Sequence, residues 1–65
     1  MQYKRSDKPL PLQRRLSREE LKIYTVCRNA VTVREIAEKT GLDQVQVIIV
    51  LNSFIPEGLV DVLEH

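Results

Sequence analysis

The sequence predicts one small, mainly α-helical domain built from three short helices. Three observations support this: two segments carry the pattern of a helix capping box, one glycine stands where a helix would end, and apolar residues recur at helical spacing. A chain of 65 residues is long enough for one domain at most. Its hydrophobic content of 43% is too high for a chain that is disordered by composition.

The first helix is predicted over residues 18–28. Ser17-Arg-Glu-Glu20 is a capping-box pattern, in which the Ser17 hydroxyl accepts a hydrogen bond from the Glu20 amide and the Glu20 carboxylate accepts one from the Ser17 amide. Apolar or small residues then fall on one side at helical spacing, namely Ile23, Val26, Cys27 and Ala30.

A second capping box, Thr32-Val-Arg-Glu35, predicts that the second helix runs over residues 33–39. Ile36 and Ala37 should face inward. Gly41 follows directly, and glycine can end a helix in the left-handed conformation without a steric penalty from a Cβ atom.

The third helix is predicted over residues 44–54, with Asp43 as its N-cap and Pro56 preventing its continuation. At about 100° per residue, one face of this helix is apolar and should lie in the core. The residues of this face are Val47, Val50, Leu51 and Phe54. After Gly58, residues 59–62 alternate well enough for a short strand, which residues 31–33 could pair with. No second wing strand follows.

The N-terminal segment, residues 1–15, lacks helical or strand periodicity, and Pro9 and Pro11 interrupt regular hydrogen bonding. We expect a basic, flexible arm there and a folded domain over residues 16–62. Residues 1–18 hold six basic residues against one acid, whereas residues 19–65 hold four against eight. Such an arm can contact phosphates, enter a minor groove, or remain a solvated tail, and the sequence leaves these alternatives open.

The outer face of the third helix carries Val45, Ile48 and Ile49 and no basic residue. A contiguous apolar patch of this kind is seldom left exposed on a small monomer. Two interpretations are open: a second copy or another protein covers the patch, or the arm covers it with its own leucines, which are Leu10, Leu12 and Leu16.

Several classes of function are disfavoured by the residues present. A single cysteine excludes an internal disulfide and a zinc site of several cysteines, and it suits a reducing, cytoplasmic compartment. There is no apolar run of membrane-spanning length and no signal-peptide apolar region. We find no catalytic constellation, no metal-ligand spacing and no phosphate-binding glycine pattern, so we expect no enzyme, metal, cofactor or small-molecule substrate. Residues 63–65 match the start of a common vector-encoded histidine tag.

The order of helix, glycine turn, helix and Gly58-Leu-Val60 exit resembles the winged-helix members of the helix-turn-helix superfamily over residues 17–62. That resemblance implies a three-helix bundle with a rudimentary or missing wing. The chain is also similar to a small helical domain encoded by bacterial conservon operons, through Cys27-Arg28, the segment 33–37, Gly41-Leu42 and the segment 47–51.

Two functions are predicted. The first is a small DNA-associated regulator that contacts duplex DNA mainly electrostatically, with Gln46 or Asn52 available to read adenine. Its candidate contacts are Lys4, Arg5, Lys8, Arg14, Arg15, Arg34, Lys39, Gln44, Gln46, Asn52 and Ser53. The alternative is a protein-interaction adaptor or dimerisation module that uses Val45, Ile48 and Ile49.

Overall fold

The described part of the chain, residues 1–64, has three helices and a two-stranded antiparallel sheet, and it is mostly helical. A computed structural model describes residues 1–64. The prediction of a tag remnant includes His65, which lies outside the described residues. In chain order the elements are β1 (Gln2–Arg5), α1 (Arg18–Val26), α2 (Val33–Thr40), α3 (Gln44–Phe54) and β2 (Val60–Leu63). The predicted three-helix arrangement is therefore confirmed.

Both predicted capping boxes are present and fix where α1 and α2 begin. The Glu20 amide donates to Ser17 Oγ at 3.2 Å, and the Ser17 amide donates to Glu20 Oε1 at 2.9 Å. Thr32 and Glu35 repeat the arrangement with distances of 3.2 Å and 3.0 Å. Each box satisfies two amides that have no partner within the helix.

The helix ends differ slightly from the predicted ones. α1 ends two residues before the predicted residue 28, because Cys27 leaves the helical conformation there. α2 continues one residue past the predicted residue 39 and ends at Thr40, and its C-cap is Gly41, whose φ of 77° lies in the left-handed region. α3 has the predicted bounds, and Asp43 precedes it as expected, although its side chain makes no capping hydrogen bond.

The sheet corrects two predictions about the ends of the chain. Strand β2 pairs with β1 at the N-terminus rather than with residues 31–33, in a register that places Gln2 opposite Leu63 and Arg5 opposite Val60. Val31 does form an isolated antiparallel bridge, but with Tyr3. The expectation of an arm without regular structure over residues 1–15 is thus wrong for β1. Local periodicity missed this strand because its partners are distant in sequence.

The core lies where the three helices meet the sheet. Its buried residues come from every element except β1: Ile23, Cys27, Val31, Ile36, Val47, Leu51, Phe54, Leu59 and Val60. The Tyr24 ring packs edge-on against the Phe54 ring, with centroids 6.1 Å apart. The inward positions predicted for α3 are confirmed, except that Val50 is only half-buried.

Arg14 holds the connection between β1 and α1 against two other parts of the fold. Its Nη2 lies 2.9 Å from Glu20 Oε2 at the start of α1, and its Nε lies 2.8 Å from Glu57 Oε2 in the turn before β2. These two carboxylates raise the pKa of the Arg14 guanidinium. The pKa of Glu20 is lowered, first by the hydrogen bond from the Ser17 amide and further by the Arg14 side chain.

Glu20→Gln should lower the stability at neutral pH by up to about 1 kcal/mol, because it removes the charge that pairs with Arg14, whereas the glutamine oxygen can still accept the hydrogen bond from the Ser17 amide. Because the pKa of Glu20 is lower in the folded state than its ordinary 4.5, its carboxylate stabilises the fold above that value. This contribution is lost as the pH falls below about 4.5 and through the folded pKa. The acid limb of a plot of unfolding free energy against pH should therefore be shallower in Glu20→Gln.

Urea unfolding at several pH values measures this effect. Glu19→Gln is the matched control, since Glu19 also lies in the first turn of α1 but is exposed and outside the capping box. Identical acid limbs for wild type and Glu20→Gln would show that the negative charge of Glu20 contributes nothing to stability.

Candidate functional site

The first candidate surface is an apolar stripe on α3, formed by Val45, Ile48 and Ile49. These side chains are 66%, 43% and 63% exposed, respectively. The opposite face of the same helix is anchored in the core, so the stripe cannot turn inward without unpacking α3. No charged residue occurs anywhere in α3. The outward orientation predicted for these three residues is confirmed.

The N-terminal segment does not cover the apolar stripe. Leu12 is fully exposed, and Leu10 and Leu16 pack against the core cluster instead. Arg14 keeps this part of the chain against the start of α1 and the turn before β2. The interpretation in which the leucines of the arm shield α3 is therefore wrong, and within residues 1–64 the stripe is open to solvent.

The polar residues of α3 flank the apolar stripe. All four predicted DNA-contact residues on this helix are exposed: Gln44, Gln46, Asn52 and Ser53. At about 100° per residue, Asn52 projects close to the direction of Val45, whereas Gln46 projects about a third of a turn away from it. The exposed surface of α3 therefore offers amide and hydroxyl groups around an apolar centre.

The second candidate surface is a basic pocket of about 350 Å³ between the N-terminal segment and the end of α1. Four cationic side chains contribute to it against one acid, Asp7. Its lining comprises Lys4, Arg5, Ser6, Asp7, Lys8, Pro9, Tyr24 and Arg28. The pocket thus collects three of the predicted DNA-contact cations, Lys4, Arg5 and Lys8, at one place.

Backbone hydrogen bonds hold the wall of the basic pocket in position. The Arg5 amide donates to the Cys27 carbonyl at 2.7 Å, and the Ser6 amide donates to the Leu59 carbonyl at 2.9 Å. The Ser6 hydroxyl donates to the carbonyl of Gly58. The φ of Gly58 is 76°, a left-handed value that glycine adopts without a steric penalty. The segment that carries these cations is therefore attached to the end of α1 and to the turn before β2, and it is not a free tail.

An aromatic contact orients one of these cations. The Arg5 guanidinium carbon lies 5.4 Å from the centroid of the Tyr24 ring, which is within the range of a cation–π interaction. Tyr24 is itself held by its contact with Phe54. The contact restrains the Arg5 side chain next to the pocket.

The other predicted DNA-contact cations lie elsewhere. Arg14 forms ion pairs with the carboxylates of Glu20 and Glu57. Arg34 forms an exposed ion pair, in which its Nε lies 3.4 Å from Glu38 Oε1. Lys39 lines a groove between α1 and α2 together with Leu21, Lys22, Thr25, Val26 and Thr40. Arg15 is exposed. The structure therefore does not bring the predicted cations onto one continuous surface.

Sequence reasoning missed the two residues that line the basic pocket from outside the N-terminal segment, Tyr24 and Arg28. Arg28 follows the C-cap of α1, where a cation is a common feature, but its neighbours could not be named without β1. Tyr24 gave no signal beyond its helical position, because its contact with Arg5 depends on a pairing between distant segments.

Cys27 belongs to the core rather than to either surface. It is fully buried, and desolvation raises the pKa of its thiol to about 11. The thiol is therefore protonated at neutral pH and acts as a small apolar group. In the part of the chain that the structure describes, no three ligating side chains are grouped to hold a metal ion. Among residues 1–64, no helix has the length and apolar character needed to cross a bilayer.

Comparisons of the chain with protein-family models, with curated proteins and with solved structures give no match.

Proposed function

We propose that this protein is a protein-interaction module that self-associates through the apolar stripe of α3. The observation that carries the proposal is the exposure of Val45, Ile48 and Ile49 on a helix whose other face is locked in the core. Burying an apolar side chain of this size is worth about 1.5–3 kcal/mol when it goes from fully exposed to fully buried. A partner that covers the stripe therefore gains a favourable contribution from each of the three side chains.

A second copy of the chain suits this surface because α3 contains no charged residue. Two identical charged faces would repel each other, whereas two identical uncharged apolar faces are complementary to themselves. The neutral stripe also offers no charge with which to select a strongly acidic or basic partner. Because α3 is uncharged and its apolar face is complementary to itself, we expect a symmetric dimer in which the α3 helices of the two copies cross.

The interface should be small and the dimer correspondingly weak. An α3 of 11 residues is about 16 Å long, which restricts the area that two crossing helices can bury. Interfaces below about 1,200 Å² in total are typical of transient complexes, and association itself costs at least about 4 kcal/mol. We expect a monomer–dimer equilibrium with a dissociation constant in the range of about 1 µM to 1 mM.

Ile49→Lys should abolish self-association and leave a folded monomer. The substitution places an ammonium group from each copy in the apolar interface, where the two charges repel and lose hydration. Ile49 is exposed, so the monomer should lose no core contact. Sedimentation equilibrium across the micromolar to millimolar range measures the mass, and circular dichroism checks the helical content.

Leu21→Lys is the matched control, because it also replaces an exposed apolar residue with a lysine, but on α1 and away from the stripe. It should retain the wild-type association constant. A wild-type protein that remains monomeric up to millimolar concentration, or an Ile49→Lys variant that associates as wild type does, would contradict the proposal.

A second candidate function, association with duplex DNA in the cytoplasm, is favoured by the cations that surround the basic pocket. Its support also includes the order of α2, the Gly41 turn and α3, which resembles the helix-turn-helix arrangement. In this comparison, the β1–β2 pair would stand in the place of the larger sheet of a winged-helix protein. The uncharged α3 offers few phosphate contacts, so binding would be electrostatic, with Gln46 or Asn52 available for adenine.

If duplex DNA binds, the logarithm of the affinity should fall linearly with the logarithm of the salt concentration. Each neutralised phosphate adds about 0.9 to the magnitude of this slope. Lys4→Gln combined with Lys8→Gln should therefore reduce the slope by about 1.8, the value for two lost contacts. Substitution is preferred to deletion of residues 1–15, since the deletion would remove β1.

A salt series of fluorescence-anisotropy titrations with a generic duplex measures the slopes. Arg18→Gln combined with Lys22→Gln removes the same charge from α1 residues that do not line the basic pocket. Equal slopes for the two double variants would reject the N-terminal cations as the DNA-contact surface, and no binding at low salt would reject DNA association itself.

A further inference from the structure

We propose that the basic pocket is a phosphate-binding site, formed jointly by the segment that follows β1 and by the end of α1. Its ligand is a phosphate-bearing molecule, whether a free phosphorylated small molecule or the backbone of a nucleic acid. The site is independent of self-association, because none of its lining residues belongs to α3.

The charges around the pocket are not neutralised by the protein. Lys4, Arg5, Lys8 and Arg28 line it, and Asp7 is the only acid among the lining residues. The ion pairs formed within residues 1–64 involve Arg14 and Arg34, and none involves these four side chains. Four neighbouring cations repel one another, so an anion placed among them gains attraction and relieves repulsion at once.

The fold sets the position of the backbone that carries these cations, and the side chains of Arg5 and Lys8 also contact other parts of the chain. Arg5 is fixed through its amide, which donates to the Cys27 carbonyl at 2.7 Å, and through its guanidinium over the Tyr24 ring. Lys8 runs over Gly58, where an added Cβ would stand 3.4 Å from Lys8 Nζ. Arg28 lies just beyond the C-cap of α1, Cys27. Preorganised donors bind an anion without the entropy cost of ordering a free tail.

The number of cations favours phosphate over a single carboxylate. Two of the four, Arg5 and Arg28, carry a planar guanidinium fork, which can bind two oxygens of a phosphate or of a carboxylate at once. The two lysines add further positive charge, which suits a dianion better than the single charge of a carboxylate. A volume of about 350 Å³ is at the lower end of small-molecule pockets, which have roughly 300–1,000 Å³. The pocket is therefore large enough for one or two phosphate groups.

Titration of the ¹⁵N-labelled full chain with inorganic pyrophosphate at about 150 mM sodium chloride tests the site, because that salt screens diffuse attraction beyond roughly 8 Å. We expect saturable chemical-shift changes at the amides of Arg5, Ser6 and Arg28. Lys8→Gln combined with Arg28→Gln should weaken binding by about tenfold or more, since losing even one charge-assisted hydrogen bond has this effect. Both side chains are exposed, so the variant should fold.

Arg18→Gln combined with Lys22→Gln is the control of equal net charge, and its affinity for pyrophosphate should stay within about twofold of wild type. An equal loss in both double variants would show attraction to the overall charge rather than a site. No saturable shift at these three amides would also overturn the proposal.

Competition experiments distinguish the source of the phosphate. If a single-stranded or duplex oligonucleotide displaces pyrophosphate from the pocket, the site serves nucleic-acid backbone phosphates. If pyrophosphate binds and neither oligonucleotide displaces it, the site serves a free phosphorylated molecule. If the anisotropy titrations then also show no oligonucleotide binding, DNA association fails while the pocket stands. A third outcome is that pyrophosphate does not bind, while an oligonucleotide binds and leaves the chemical shifts of Arg5, Ser6 and Arg28 unchanged. This outcome contradicts the proposed phosphate site and leaves DNA association intact.

Discussion

The rest of the structure depends on the docking of β1 between two distant parts of the chain. Tyr3 donates its amide to the Val31 carbonyl at 2.7 Å and accepts from the Val31 amide at 2.9 Å, while its strand pairs with β2 on the other side. The first residues of the chain thus connect the segment between α1 and α2 to the last strand. Because an isolated pair of short strands is at best marginally stable on its own, this three-way contact and the core beneath it stabilise one another.

The position of β1 bears on both candidate surfaces. It holds the segment of residues 4–8 beside the end of α1. The basic residues that the sequence alone could assign to a solvated tail therefore line a pocket. The chain that follows β1 packs Leu10 and Leu16 against the core and leaves Leu12 in solvent, so none of these leucines covers the apolar stripe. The pairing of β1 with distant segments is therefore needed for the basic pocket and is compatible with an exposed apolar stripe.

The sequence allowed the helices to be predicted well, because their determinants are local. Capping boxes, the Gly41 turn and the helical spacing of Val47 and Leu51 are all contained within one or two turns of chain. The outward face of α3 could be predicted from the same periodicity. In contrast, β1 and the contact between Arg5 and Tyr24 depend on segments far apart in sequence, and no local pattern specifies which distant backbone groups will pair. The basic pocket could not be predicted for this reason.

Native-state hydrogen exchange at the amides of Tyr3 and Arg5 tests most directly whether β1 is an integral part of the fold. These amides donate to Val31 and Cys27, and the Cys27 amide at the end of α1 is the internal reference for the folded core. If β1 is integral, Tyr3 and Arg5 should exchange with an opening free energy close to that of Cys27, because all three open only on global unfolding. Exchange of Tyr3 and Arg5 at the rate of an unstructured peptide, while Cys27 remains protected, would contradict the account.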